Sequence, residues 1–299
     1  MPVDLSMDLI HATVQLEQPQ ANGTRTVGTG FLISEPAEDG TPRTILVTAN
    51  HVLNRMPGPE MRIGFRIQNA DGTWTYAPQS VIIRQGDREL WTHHATRDVA
   101  VLRIVAPPEF TRAAIPMDWL ARDTTFQDDN VTPGDEMLTL GFPRGLSSNT
   151  AGFPILRSGR VASFPLTPAT AYPTFLLDFS VFPGNSGGPV YVSAITERRE
   201  PSEAPPAQFI AGILTEQVEL NSERLGIGVV THARYVRETI ALLDASQTEP
   251  AQVFMPTPAP IIQAATAGSG PVHGSPPAPT PVPSPAPAPP AKTGGDQAP

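Results

Sequence analysis

The stretch FPGNSGGPV, residues 182–190, decides the reading of this chain. It sets one serine, Ser186, among three glycines and two prolines and runs straight into Val190, Tyr191 and Val192. Glycine costs backbone entropy, so this density marks a main chain that bends tightly or is approached closely. One reading is a plain turn that leads into a strand. The other is a nucleophile loop, with Ser186 on a bent backbone whose N–H groups point at a developing oxyanion. The choice between them rests on what the rest of the chain offers the serine.

A serine hydroxyl is a weak nucleophile at neutral pH and needs a base within hydrogen-bond reach. Six histidines are available. His11 lies near the start of the chain and His273 in its last, proline-rich part, where neither is expected to be held rigidly. His93 and His94 fall in a polar loop, and His232 follows a strand. His51 differs, because it comes directly after the apolar run ILVTA (45–49) and opens HVLNR. A strand that ends in Thr-Ala-Asn-His carries an imidazole to the rim of a sheet; the alternative is an ordinary strand-end histidine. The base in turn needs an acid to fix its tautomer. Asp98 heads the strand-like run DVAVLRIV (98–105), and a carboxylate entering a buried strand must be paired or hydrogen-bonded. Pairing with neighbouring Arg97 is the structural alternative, and Asp87 and Asp123 are less suitable acids in polar loops.

Composition limits the setting. The chain has 299 residues and 36 prolines, against a usual proline share of about 5%. The prolines crowd the end, where Pro-Ala units favour solvated polyproline II. Residues 250–299 therefore read as a disordered tail that acts as a spacer or a weak docking segment, and residues 1–10 as a flexible start. A net charge of −9 with no basic run argues against nucleic acid or anionic membrane as the main partner. The absence of cysteine removes disulfides, thiolate catalysis and cysteine-bound zinc. No stretch approaches a membrane span, and the N-terminus lacks the basic start and apolar centre of a signal peptide. The default expectation is a cytoplasmic protein with no cofactor and no metal.

Between residues 11 and 232, short β-rich runs alternate with Gly, Pro, Asn and Asp. They include HATVQLEQ (11–18), TVGTGFLIS (26–34), TILVTA (44–49), MRIGFRI (61–67), TWTYA (73–77) and SVIIRQ (80–85). The series continues after a weaker connector at 106–136 with MLTLGF (137–142), RSGRVASF (157–164), TFLLDFSV (174–181), PVYVSAI (189–195), QFIAGILTEQV (208–218) and GIGVVTH (226–232). Asp71-Gly72 predicts a hairpin. Many short strands with turns between them describe an all-β barrel or sandwich. One helix closes the domain at 233–246, with Val236, Ile240 and Leu243 on one stripe.

Taken together, VGTGFLI (27–33), TANHV (48–52), RDVAVLRI (97–104), GNSGGPV (184–190) and GIGVVTHARYV (226–236) resemble a chymotrypsin-fold serine peptidase over residues 11–246. The disulfide-free bacterial trypsin-like and HtrA-type branch is nearer than the digestive one. The resemblance implies two six-stranded antiparallel β-barrels, one at about 11–107 and the other at about 130–232, with a C-terminal helix inside a domain of 11–249. It implies Ser186 as nucleophile, His51 as general base and acid, and Asp98 as its orienting carboxylate. The N–H groups of Gly184 and Ser186 would form the oxyanion hole, and the Thr215 hydroxyl would support the aspartate. A protein or peptide is the implied substrate.

The departures from the family pattern also carry expectations. Asn185 replaces the aspartate that pairs with a freed N-terminus in zymogen-activated relatives, so activation by that cleavage is not expected. Ser180 falls on the floor of the specificity pocket, with Val181 and Leu214 beside it, Gly228 on one wall and Gln217 at the entrance. This set points to medium-sized apolar residues before the scissile bond. Asp178 is assigned a structural role. A catalytically silent version of the fold, used for binding or as a scaffold, is the rival function. The Pro/Ala-rich end stands where HtrA proteins continue into PDZ domains, and it is too short and too biased to be one.

Overall fold

The computed structural model describes residues 5–21, 23–36, 42–105, 113–193, 207–245 and 250–254. By its contacts the chain divides into Met1–Thr257, which contains every described element, and Pro258–Pro299, which lies outside the described residues.

Helix α1 (Leu5–Ala12) leads into β1 (Thr13–Pro19), β2 (Arg25–Pro36) and β3 (Pro42–Thr48), followed by the short helix α2 (Asn50–Asn54). Strands β4 (Glu60–Gln68) and β5 (Trp74–Ile82) form a hairpin around Asp71-Gly72. Three two-residue strands follow, β6 (Arg84–Gln85), β7 (Arg88–Glu89) and β8 (Thr92–His93), and then β9 (Ala100–Val105). Past β10 (Ile115–Pro116) and the one-turn helix α3 (Thr125–Asp128) comes the second half. It consists of β11 (Glu136–Gly141), β12 (Ile155–Val161), β13 (Thr174–Asp178), β14 (Pro189–Val192), β15 (Phe209–Leu220) and β16 (Glu223–His232). Helix α4 (Ala233–Ala245) and β17 (Ala251–Phe254) end the described chain.

The second half is a closed six-stranded barrel in the order β11-β12-β13-β16-β15-β14. The first half also closes, in the order β1-β4-β5-β17-β9-β3-β2, through the β1–β2 pairing. The two-barrel architecture with its closing helix matches the expectation, but the first barrel has seven strands rather than six. The added strand comes from the far end of the chain: β17 runs parallel to β9 (Ala251↔Ile104) and antiparallel to β5 (Val253↔Val81). The predicted tail boundary at 250 is therefore corrected to the C-terminal side of β17, and the rest of that segment lies outside the described residues. Ala251 and Val253 pack half-buried against the core while Gln252 and Phe254 are exposed. That is a period of two over four residues, too brief to stand out beside a proline-rich segment.

Two further corrections concern the first barrel. The start of the chain is held rather than flexible from residue 5, because Leu5, Leu9 and Ala12 of α1 are fully buried. Arg66 caps that helix, donating through Nη2 to His11 O at 2.6 Å and Thr13 O at 2.8 Å, and through Nη1 to Gly152 O at 3.0 Å near the second barrel. Burial lowers the Arg66 pKa to about 10. His11, expected to be loose, is held tilted against Trp74 (5.0 Å) and edge-on to Phe153 (5.7 Å). The runs at 73–77 and 80–85 are also not separate strands. β5 passes straight through Pro78, which pairs with Gly64 where β17 does not yet flank the strand. The N–H that proline lacks thus leaves no ladder bond unmade.

Helix α4 buries Val236, Ile240 and Leu243, as their spacing requires. Just before it, His232 is 4% exposed, between Phe126 (4.8 Å) and Phe175 (5.0 Å), with no hydrogen-bond partner for Nε2 among the described residues. Desolvation lowers its pKa from 6.5 to about 4, against the smaller raising effects of a hydrogen bond to Leu166 and the charge of Asp123. Between these values the unfolded chain binds the extra proton, so this contribution to stability is complete above pH 6.5 and is lost as the pH falls toward 4. The wild type is expected to lose about 2 kcal/mol from this group between pH 7 and pH 5. His232→Gln should flatten that dependence in denaturant titrations at the two pH values. An unchanged slope would mean that other groups set the acid limit.

Candidate active site

The register of β3 with β9 brings two of the three sequence candidates together. Thr48 pairs with Ala100, so the residues just after β3 and just before β9 reach the same end of the barrel. His51 sits in α2, which is anchored by buried Val52 and Leu53 and by a 2.9 Å hydrogen bond from Trp91 Nε1 to Asn50 Oδ1. Asp98 grips it at two points: Oδ1 accepts from the His51 backbone N–H at 2.8 Å, and Oδ2 lies 2.5 Å from Nδ1. Both side chains are 25% exposed, so the pair is accessible without being fully solvated. A carboxylate at Nδ1 keeps the proton there and leaves the Nε2 lone pair outward. Arg97 lies over the Tyr235 ring at 5.2 Å, with no ion pair to Asp98 among the described residues.

The serine loop is a series of tight turns. Asn185 N donates to Phe182 O (3.1 Å), Gly187 N to Leu214 O (2.7 Å) and Gly188 N to Asn185 O (3.1 Å). Among the described residues, the two remaining amides, of Gly184 and Ser186, have no hydrogen-bond acceptor. Those are the two N–H groups that the resemblance implies for an oxyanion hole. The glycines have specific reasons. Gly184 has φ +97°, and a Cβ there would lie 2.3 Å from Phe142 O; Gly187 has φ +87°, and its Cβ would lie 2.1 Å from Thr29 O. Pro183 O accepts from Arg144 N at 2.6 Å, which turns the Gly184 N–H to the opposite side of that peptide.

Ser186 itself is half-buried, and its Oγ lies 3.4 Å from Thr215 O, with no hydrogen bond to His51 among the described residues. The Thr215 hydroxyl does not reach Asp98 as the resemblance implied. It is taken up by Val229 O and the Thr231 hydroxyl, each at 3.3 Å, on the barrel wall. Asn185 is 4% exposed and its Oδ1 has no partner among the described residues.

Of the specificity candidates, Ser180 is exposed and lies beside Gly226 rather than on a buried floor. The buried apolar surface nearby belongs to Val181, Leu214 and Phe179, all within 2.8–3.1 Å of where a Gly228 Cβ would stand. Gln217 donates to Glu219 Oε1 at 2.6 Å. Asp178 is exposed. The other acid and base candidates lie elsewhere: Asp87 and His93 are exposed, Asp123 pairs with Arg234, and His94 bonds Glu238 at 3.2 Å.

Sequence reasoning missed the groups that hold the serine loop from the first barrel. Thr29 on β2 donates its N–H to Ser186 O (2.9 Å) and its hydroxyl to Gly184 O (2.6 Å). Gln15 Nε2 and Arg25 Nη2 donate to Gly145 O, next to Arg144, at 3.0 and 3.3 Å. The one signal in the sequence was Thr29 standing between two glycines in VGTGF.

Among the described residues no helix is long and apolar enough to cross a membrane. No curated protein matches the chain. Similar solved structures include a variant of the HtrA-type protease AlgW with a tripeptide, at 20% identity and TM-score 0.49, covering 79% of this chain and 61% of that one. This chain thus spans about three fifths of that protein's length. AlgW with a decapeptide shows 18% identity and TM-score 0.47, with 80% and 66% of the two chains covered. The protease Anisep from Arthrobacter nicotinovorans shows 14% identity and TM-score 0.46, with 79% and 96% covered. A sequence model of the trypsin-like peptidase domain matches residues 28–194, more than half of the chain and a span that contains His51, Asp98 and Ser186. With that match on a fold of two closed barrels, the chain belongs to the trypsin-like peptidase family.

Proposed function

We propose that the protein is a serine endopeptidase that works through an acyl-enzyme and needs no cofactor. The observation that carries this reading is the two-point hold of Asp98 on His51, which orients an imidazole as a base requires. In the proposed reaction, Ser186 Oγ attacks the scissile carbonyl carbon while its proton passes to His51 Nε2. The carbonyl electron pair moves onto oxygen and is met by the N–H groups of Gly184 and Ser186. Collapse of the adduct breaks the C–N bond, and Nε2–H protonates the leaving amine. Water then repeats both steps on the ester, releasing the acid and restoring Ser186. Asp98 stabilises the imidazolium and stays ionised throughout.

The substrate preference follows from what surrounds the loop. Val181, Leu214 and Phe179 offer buried apolar surface, and neither they nor Ser180 carries a charge to meet a basic side chain. Burying an unpaired Arg or Lys there is costly, so the proposed residues before the scissile bond are Leu, Val, Met or Ala. Glu216 and Glu219 are exposed further along β15, the strand of Leu214, and a library profile dominated by Arg or Lys would show that they set specificity instead. The activity itself is tested with a fluorophosphonate probe. Ser186 should be labelled in the wild type and unlabelled in Ser186→Ala, with the melting temperature unchanged. A folded wild type that takes up no probe, or takes it up at another serine, sinks the proposal.

A further inference from the structure

We infer that the Thr29 hydroxyl is a positioning group for the oxyanion hole, reaching from the first barrel to fix the one peptide that joins its two donors. The inference rests on the peptidase reading above. The proposed donors are the N–H groups of Gly184 and Ser186, and between them lies the single peptide unit from Gly184 C=O to Asn185 N–H. The torsions on either side of that unit, ψ of Gly184 and φ of Asn185, set the angle between the two donors, so a carbonyl held in place limits how either can turn relative to the other. Gly184 at φ +97° has no side chain to restrain it, so its conformation must be held from outside. Two hydrogen bonds do this: Asn185 N to Phe182 O (3.1 Å) within the loop, and Thr29 Oγ1 to Gly184 O (2.6 Å) from the other barrel.

The hydroxyl has no freedom to serve otherwise. Phe142 N donates to the same Oγ1 at 3.1 Å, which directs its single proton to Gly184 O. Thr29 is fully buried, and its own C=O accepts from Thr48 Oγ1 at 2.7 Å, three residues before His51. One residue thus connects the strand that delivers the base to the loop that presents the nucleophile. In a dry interior such bonds are strong, and an unmade one is costly. Valine at this position keeps the shape, but it strands Gly184 O and Phe142 N without partners and frees the glycine to turn.

The test compares Thr29→Val, Thr29→Ala and Thr29→Ser with the wild type, using full-length protein and a chromogenic peptide. Removal of one oxyanion donor costs about 10²–10³ in kcat. Loosening both without removing either should cost about 10–100-fold in kcat for Val and Ala, with KM within about twofold. Affinity for a peptide boronic acid, which forms a tetrahedral adduct on the serine, should fall by the same factor as kcat/KM. The pH profile of kcat/KM should keep its midpoint, since the base is untouched. Thr29→Ser should restore activity, and also the slow amide exchange of Phe142 that the other two variants lose. Folded Val and Ala variants that keep their kcat, or that raise KM alone, overturn the inference and leave the peptidase reading intact. A wild type that neither hydrolyses peptide nor takes up a fluorophosphonate overturns both. If Val fails to fold, Ala and Ser decide the matter.

Discussion

Replacing His51 by alanine is expected to lower peptide hydrolysis by about 10⁴-fold or more, with the fold retained, and Asp98→Asn by on the order of 10⁴-fold. The aspartate effect is large because the amide cannot accept from both His51 N–H groups as the carboxylate does, at 2.8 and 2.5 Å. An asparagine NH₂ facing Nδ1 forces the proton onto Nε2, the atom that must accept it from the serine. Variants of His93, His94 or His232 should stay within about tenfold, a barrier change of about 1.4 kcal/mol. His94 is the sharpest control, since it lies in the loop leading to Asp98 but is committed to Glu238 on α4. If His94→Ala proved as damaging as His51→Ala, the base would be wrongly assigned.

Ending the chain after residue 249 is expected to lower the melting temperature by about 10 °C, whereas ending it after residue 257 should leave it nearly unchanged. The shorter form loses β17, and with it the ladder bonds to β5 and β9 and the packing of Ala251 and Val253. At about 1 kcal/mol per net hydrogen bond, plus partial burial of two small side chains, the loss is about 4 kcal/mol. For a domain of this size each kcal/mol moves the midpoint by about 2–4 °C. Activity should fall as well, because β9 begins two residues after Asp98 and is gripped at its far end by β17. Equal melting of the two truncated forms would show that β5 and β9 close on each other without the added strand.

The serine loop and the two strand ends bearing His51 and Asp98 were legible because each carries a local signal: clustered glycines, an apolar run before a histidine, an aspartate before an apolar run. The barrels were legible for the same reason, as repeated short β-rich runs. What escaped has its cause at a distance. The partners of β17 lie at Ser80–Val81 and Ile104–Val105, far back in the chain, so nothing adjacent marks Ala-Gln-Val-Phe as a strand. Helix α1 spans only eight residues, and its stripe of Leu5, Leu9 and Ala12 has meaning only once a barrel stands beside it. Nothing local shows that β5 continues from 73–77 through Pro78, because the missing flank there is a property of the sheet, not of the strand. The Thr215 hydroxyl was assigned by position in a family pattern, whereas its actual partners, Val229 and Thr231, are set by the register of β15 with β16.

The seventh stave also sets a timetable for synthesis. The second barrel has all its strands once residue 232 is made, while the first, begun earlier, lacks its seventh strand until Phe254 has been added. Long-range closure of this kind is slow in any case, because the loop entropy must be met before the contacts reward it. His51, Asp98 and Ser186 are therefore all translated well before the scaffold behind two of them can close. A nascent chain that ends between residues 187 and 250 carries His51, Asp98 and Ser186 without the strand that completes the barrel behind two of them, so under the proposed peptidase reading the order of translation spares neighbouring copies on a polysome.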